Sequence, residues 1–303
     1  MEKWRLGIVL AACCIASSCG RGGGSGERLV DVGGHRLFLR DLGKGTPVVV
    51  IDAGIGDGGD KVRPLQERLA GATRVIAYDR AGYGRSEPGP LPRDAGREAS
   101  ELRALLERDG IPGPFVVVGH SLGGLNAQLF AARFPGDVAG LVLLDPPPLS
   151  FLRGREFREL AALAARMTGE WQGAADAAQR SGEPEDRARA AFLAAIASEH
   201  REMFAASAQA ADAIVDFGDI PLVVVAAGRE NPAFGPAAGD YQRHWIEQNR
   251  LLAAKSPQGR FVLVPDSSHY LYLDAPGAVE EAVLSVVRRV REGRGVVGGT
   301  RIE

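Results

Sequence analysis

The sequence predicts an α/β fold: a mostly parallel sheet of about eight strands, with helices on both faces and a helical insertion. Three observations predict it. Short apolar runs bounded by Gly, Pro or Asp recur along the chain, as strands buried on both faces do. Helical stretches separate them. One stretch, over 147–218, breaks this alternation, being rich in Ala, Arg and Glu and lacking a good strand.

Residues 28–32 and 35–40 alternate in polarity across Gly33-Gly34, the pattern of a hairpin closed by a two-residue turn. The apolar run 47–52 reads as a buried strand leading into Ala53-Gly54-Ile55-Gly56. A helix over 60–70 follows, then a strand over 74–78 that ends at Asp79-Arg80-Ala81-Gly82-Tyr83-Gly84-Arg85-Ser86. The Pro/Gly-rich stretch 88–92 is a loop, 94–108 a helix closed by Gly110, and 115–118 a strand.

Gly119-His120-Ser121-Leu122-Gly123 joins that strand to an amphipathic run that stops at Pro135. A serine between strand and helix in a Gly-x-Ser-x-Gly frame sits on a sharp turn, with its hydroxyl pushed outward. The flanking glycines leave room for the tight backbone and for close helix–strand packing.

Strands over 141–144, 221–226 and 260–264 complete the sheet. The last helix carries apolar residues at 279, 282, 283, 286, 287 and 290, one face at helical spacing. The insertion over 147–218 reads as three or four helices. It leaves the sheet after Asp145, at the carboxyl end of a strand, where ligands bind in such sheets, so it is placed to be a lid.

A chain of 303 residues suffices for one large α/β domain with an insertion, or for two small domains. Hydrophobic content of 45% and charged content of 24% are ordinary for a globular protein and exclude wholesale disorder. A net charge of −2 gives no electrostatic case for a nucleic-acid partner. The cysteines are Cys13, Cys14 and Cys19, so the body has neither a disulfide nor a cysteine zinc cluster.

Lys3 and Arg5 precede an apolar or small run over 6–16. It is shorter than the roughly 20 residues of a bilayer span and is laid out as a secretory signal. Ala16-Ser17-Ser18-Cys19 resembles a bacterial lipobox, whose cysteine is acylated after cleavage; Leu10-Ala11-Ala12-Cys13 is the alternative. The expected organisation is a signal peptide over 1–18, a flexible tether over 19–28, a core over 29–146 and 219–292, a helical lid over 147–218 and a tail over 293–303. The product is then exported and held at the membrane by a lipid on Cys19, with a soluble periplasmic or secreted protein as the alternative.

Four motifs in this order, Ala53-Gly54-Ile55-Gly56, the Asp79–Ser86 stretch, the Ser121 turn and Ser268-His269, resemble the α/β-hydrolase superfamily over roughly 29–292. The likeness is to its small lidded branch of esterases, lactonases, proline iminopeptidases, cofactor-free haloperoxidases and carbon–carbon bond hydrolases. A serine hydroxyl needs an adjacent base, and the base an orienting acid. Of five histidines, His269 lies in the loop after the last strand, where this fold presents its base. His35 is expected to be exposed in its hairpin, His120 to point toward the loops beside the Ser121 turn, and His200 and His244 to be surface residues. Asp79 and Arg80 are expected to brace neighbouring loops.

The acid stays open. Relatives often carry an aspartate in a Gly-x-x-Asp pattern after the strand that follows the lid. Here that place reads Gly228-Arg229-Glu230-Asn231. Asp145 is the favoured substitute and Glu230 the alternative, with Asp240 and Asp266 behind them; Asp145 and Glu230 both preserve the order Ser, acid, His. The resemblance implies that the backbone N–H groups of Ile55 and Leu122 form the oxyanion hole.

Dehalogenases and epoxide hydrolases of this fold use an aspartate nucleophile, which Ser121 argues against. No metal-ligand spacing or P-loop ending is present, so the chemistry is expected to be cofactor-free. The expected function is hydrolysis of a small-molecule ester, thioester, lactone or amide through an acyl-enzyme on Ser121. The alternatives are a carbon–carbon bond hydrolase or perhydrolase with the same triad, and an inactive lipid-tethered binding protein of the same fold.

Overall fold

A computed structural model describes residues 26–154 and 156–297. The strands are β1 (Gly26–Asp31), β2 (Arg36–Leu42), β3 (Val49–Asp52), β4 (Val75–Tyr78), β5 (Phe115–His120), β6 (Val138–Leu144), β7 (Leu222–Ala227) and β8 (Gly259–Val264). They form one sheet in the order β1-β2-β4-β3-β5-β6-β7-β8. β2 pairs antiparallel with both β1 and β4, and every other pairing is parallel.

The helices are α1 (Arg63–Ala70), α2 (Ala95–Arg108), α3 (Leu122–Arg133), α4 (Leu149–Leu152), α5 (Arg158–Ser181), α6 (Pro184–Met203), α7 (Ala206–Asp212), α8 (Ala238–Ala253), α9 (Leu271–Asp274) and α10 (Pro276–Val297). β5 shows why the sheet is covered on both sides. Its Val117 packs into the core under α2 and α3, with Leu102 and Phe130, while Val116 and Val118 face the core under α1 and α10, with Leu65 and Val283. Burying one such side chain contributes roughly 1.5–3 kcal/mol, so these two layers hold the loops at the strand ends in place.

The predicted insertion is four helices, α4 to α7, between β6 and β7. The strand order reverses between β3 and β5, since β4 lies on the far side of β3. The crevice at such a switch point, beyond the carboxyl ends of the strands, is where open α/β sheets bind ligands. The turns carrying Ile55 and Ser121 lie on either side of it.

The expected signal peptide over 1–18, both candidate lipidation residues Cys13 and Cys19, and the tether as far as residue 25 lie outside the described residues. Two boundaries differ from expectation. The first strand begins at Gly26 rather than 28, inside the expected tether, where Gly26 pairs with Asp41 and Arg28 is tied to Asp41 and Asp109. The last helix runs to Val297, through the start of the expected tail. Among the described residues no helix is long and apolar enough to cross a membrane.

Candidate active site

Ser121 caps the N-terminus of α3 with φ 53° and ψ −120°. That region is costly for a residue with a Cβ and is held only where the surroundings impose it. The imposition is visible. The Ser121 N–H donates to Leu144 O at 2.9 Å, and its carbonyl accepts from Gly124 at 2.8 Å. A Cβ on Gly119 would lie 2.2 Å from Gly123 O, and one on Gly123 only 2.3 Å from Asp52 O. Both glycines of the motif therefore allow backbone to touch backbone. The Leu122 N–H follows in the first turn of α3, whose donors have no intrahelical acceptor.

His269 lies after β8, and its Nδ1 is 2.7 Å from Asp145 Oδ2. A carboxylate oxygen accepts here, so Nδ1–H is the donor and Nε2 is not used by Asp145. Asp145 ends β6 in the left-handed region, at φ 48°. Its other oxygen, Oδ1, accepts from Ala227 N at 3.0 Å and from Trp245 Nε1 at 2.8 Å. Three donors thus fix a buried carboxylate.

His120 sits between the parts. Its Nε2 donates to His269 O at 2.8 Å, and the two rings lie 4.7 Å apart. Burial, and then the neighbouring His269, push its pKa well below the usual imidazole range, so it stays neutral. The residue beside Ser121 is thereby bonded to the loop carrying His269.

Glu230 does not take this position. It is exposed, with its carboxylate beside Gly239 at the start of α8. Asp240 is exposed and pairs with Arg243, and Asp266 is exposed.

Of three histidines expected at the surface, His35 and His200 are buried and His244 is half-buried. The loop before α2 covers the hairpin, leaving His35 9% exposed with Nε2 3.5 Å from Glu101. α5 packs across α6 and closes over His200, whose Nδ1 meets Thr168 Oγ1 at 2.6 Å; burial lowers its pKa to about 4. His244 lies under the start of the insertion, with Nε2 2.6 Å from Ser150 Oγ and Nδ1 3.0 Å from Glu156.

The Ile55 turn is anchored from beneath. Arg80 is buried and donates to Ala53 O at 2.6 Å, to Gly54 O at 2.9 Å and to Asp52 at 2.7 Å. Asp79 accepts from the backbone of Gly59 and Arg85. Both residues brace loops, as expected. Among the described residues no three His, Cys, Asp or Glu side chains gather as a metal site.

Trp245 was not singled out from sequence. The signal was present: Tyr241, Trp245 and Asn249 recur every fourth residue, and this row of α8 faces the ends of β6 and β7.

A sequence model of the Alpha/beta hydrolase family matches residues 48–282. The Bacillus subtilis protein YqjL is 24% identical over 245 residues, 80% of this chain and 85% of that protein. The 2-(acetamidomethylene)succinate hydrolase of Mesorhizobium japonicum is 33% identical over 141 residues, 46% of this chain and 48% of that enzyme. This chain therefore matches about half the length of that hydrolase. Among solved structures, a thermophilic esterase from Thermogutta terrifontis superposes with a TM-score of 0.66 at 22% identity, covering 88% of this chain and 99% of its own; at that identity the likeness is one of fold. With the family match spanning most of the sheet and the turns at its carboxyl end, the chain belongs to the alpha/beta hydrolase family.

Proposed function

We propose that this protein is an exported serine hydrolase that cleaves a small ester, thioester, lactone or amide through an acyl-enzyme on Ser121. The observation that carries this is the 2.7 Å hydrogen bond between Asp145 and His269, at the same end of the sheet as the strained turn of Ser121. Ser121 gives its proton to His269 Nε2 as its oxygen attacks the carbonyl carbon. The N–H groups of Ile55 and Leu122 stabilise the oxyanion. The imidazolium returns the proton to the leaving group, and water, activated the same way, releases the acyl group.

The likeness to a named hydrolase over about half its length supports the reaction class. The helices over 147–218 serve as a lid. Phe151, Phe157 and Phe234 each pack edge-on against Tyr241, which adjoins Trp245; this aromatic wall suits an apolar part of a small substrate. Asn231, where relatives often carry the acid, would favour the non-catalytic binder. Asp145 supplies the carboxylate that Asn231 lacks, which removes that reason.

A fluorophosphonate probe tests the nucleophile. Labelling is expected at Ser121 and lost in Ser121→Ala. Ser150, whose partner His244 in turn meets Glu156, is the control. Label mapped to Ser150, or none on folded protein, overturns the assignment. Export and acylation at Cys19 rest on the sequence of residues 1–19. Mass spectrometry of the purified N-terminus is expected to find lipid on Cys19; an intact Met1 overturns export.

A further inference from the structure

We propose that Glu199, on α6 of the helical insertion, is a positioning residue for the Ile55 backbone donor, acting through Arg80 and Tyr83. This rests on Ser121 as nucleophile and on Ile55 N–H as an oxyanion donor.

The two peptide groups that flank Ile55 are both tied, at one remove, to the Glu199 carboxylate. On one side, Arg80 meets Glu199 side-on, Nε to Oε1 at 3.0 Å and Nη2 to Oε2 at 3.0 Å. The same Nη2 donates to Gly54 O at 2.9 Å. On the other side, the Tyr83 hydroxyl donates to Glu199 Oε2 at 2.5 Å and accepts from Gly56 N at 3.1 Å. A trans peptide is planar, with its C=O and N–H pointing opposite ways. Holding the Gly54 carbonyl therefore sets the direction of the Ile55 N–H, and holding Gly56 N fixes the next plane.

The bracket is built to be rigid. Arg80, Glu199 and Tyr83 are buried. α6 is bonded to the body on either side of the approach to α2: Ser198 Oγ accepts from Arg93 N, and Ser207 Oγ of α7 accepts from Ala95 N, each at 2.9 Å. Burial works against a charged Glu199, yet Arg80 and the hydrogen bonds from Glu98 and Tyr83 outweigh it and keep the carboxyl below its ordinary range. Glu98 moves the other way: burial, and then the Glu199 charge, raise it. One insertion helix thus carries the charge that orders a turn at the carboxyl end of β3.

The consequence is specific to the transition state. Loss of an oxyanion donor costs about 10²–10³ in rate, and a misdirected one costs part of that. Glu199→Gln is expected to lower kcat roughly 10- to 100-fold with KM within about threefold. A trifluoromethyl ketone, which forms a tetrahedral adduct, should lose affinity by the same factor as kcat/KM, while the matching methyl ketone keeps its affinity. Glu199→Gln risks failing to fold, because it leaves Arg80 without its charged partner. Tyr83→Phe is the second variant. It cuts only the arm to Gly56 and should show the same pattern with a smaller kcat loss. Wild-type kcat in either folded variant, or equal loss for both ketones with a raised KM, overturns the proposal. If wild-type Ser121 takes no fluorophosphonate label, the underlying serine mechanism fails instead. A labelled wild type beside fully active variants removes only the role of Glu199.

Discussion

The Trp245 indole N–H donates to Asp145 Oδ1, the carboxylate oxygen that His269 does not use. A hydrogen bond to a charged group contributes about 1.5–3 kcal/mol. Trp245→Phe keeps an aromatic ring and removes the donor. Activity is expected to fall roughly 10-fold in kcat/KM. The Asp145 charge, less shared, should also pull harder on the imidazolium and move the acid limb of the pH–rate profile to higher pH. A profile unchanged in position would remove Trp245 from the relay.

Asp145→Asn leaves the fold intact but presents His269 with a neutral amide, which favours the wrong tautomer. Its kcat is expected to drop on the order of 10⁴-fold. Glu230→Gln, at an exposed site, should stay within a few-fold of wild type. Steady-state kinetics of the pair decides; the reverse order would return the acid to the turn after β7.

Gly123→Ala places a Cβ 2.3 Å from Asp52 O and 2.6 Å from Ala53 O, both backbone atoms. Neither can move without displacing β3. The variant is expected to lose upwards of roughly 4 kcal/mol of stability, and activity with it. Urea denaturation measures this, and a loss under about 1 kcal/mol would mean that the turn yields.

Acid should destabilise the protein through its buried histidines. The pKa of His200 falls from the usual 6.5 to about 4, so between those values the unfolded chain binds the proton that the folded chain refuses. Stability is therefore flat above about pH 7 and declines as pH falls toward 4, by on the order of 3 kcal/mol from this residue. His120 acts in the same direction. In His200→Gln the decline should be shallower. Denaturant midpoints of the two proteins between pH 8 and pH 4 provide the measurement, and parallel curves would contradict it.

The sheet was readable because its strands are buried on both faces and need no partner to be recognised: 115–118 and 141–144 fall within β5 and β6. The Ser121 turn was legible as a strand-to-helix junction because β5 before it is buried throughout, whereas β8 before His269 is only half-buried. Asp145 was harder, since a strand-end aspartate looks the same whether or not a histidine meets it. Its meeting with His269 needs the long-range approach of β8 to β7, which local sequence does not encode. The burial of His35 and His200, and the partial burial of His244, were not legible for a related reason. Each is covered by a separate element, the loop before α2, α5 or the start of the insertion, so the polarity of its own helix or hairpin misled. The Glu199–Arg80–Tyr83 bracket spans 119 positions and has no local signature at all.

An acid on β6, as proposed, gives the turn after β7 a freedom that it lacks in an enzyme whose carboxylate sits there. Gly228 is pinned, because a side chain would strike Pro265. Beyond it, the turn is free of the proposed proton relay, and it brings Phe234 against Tyr241. Selection, or a laboratory library over residues 230–237, could recut the contour met by a substrate while the reacting atoms keep their alignment.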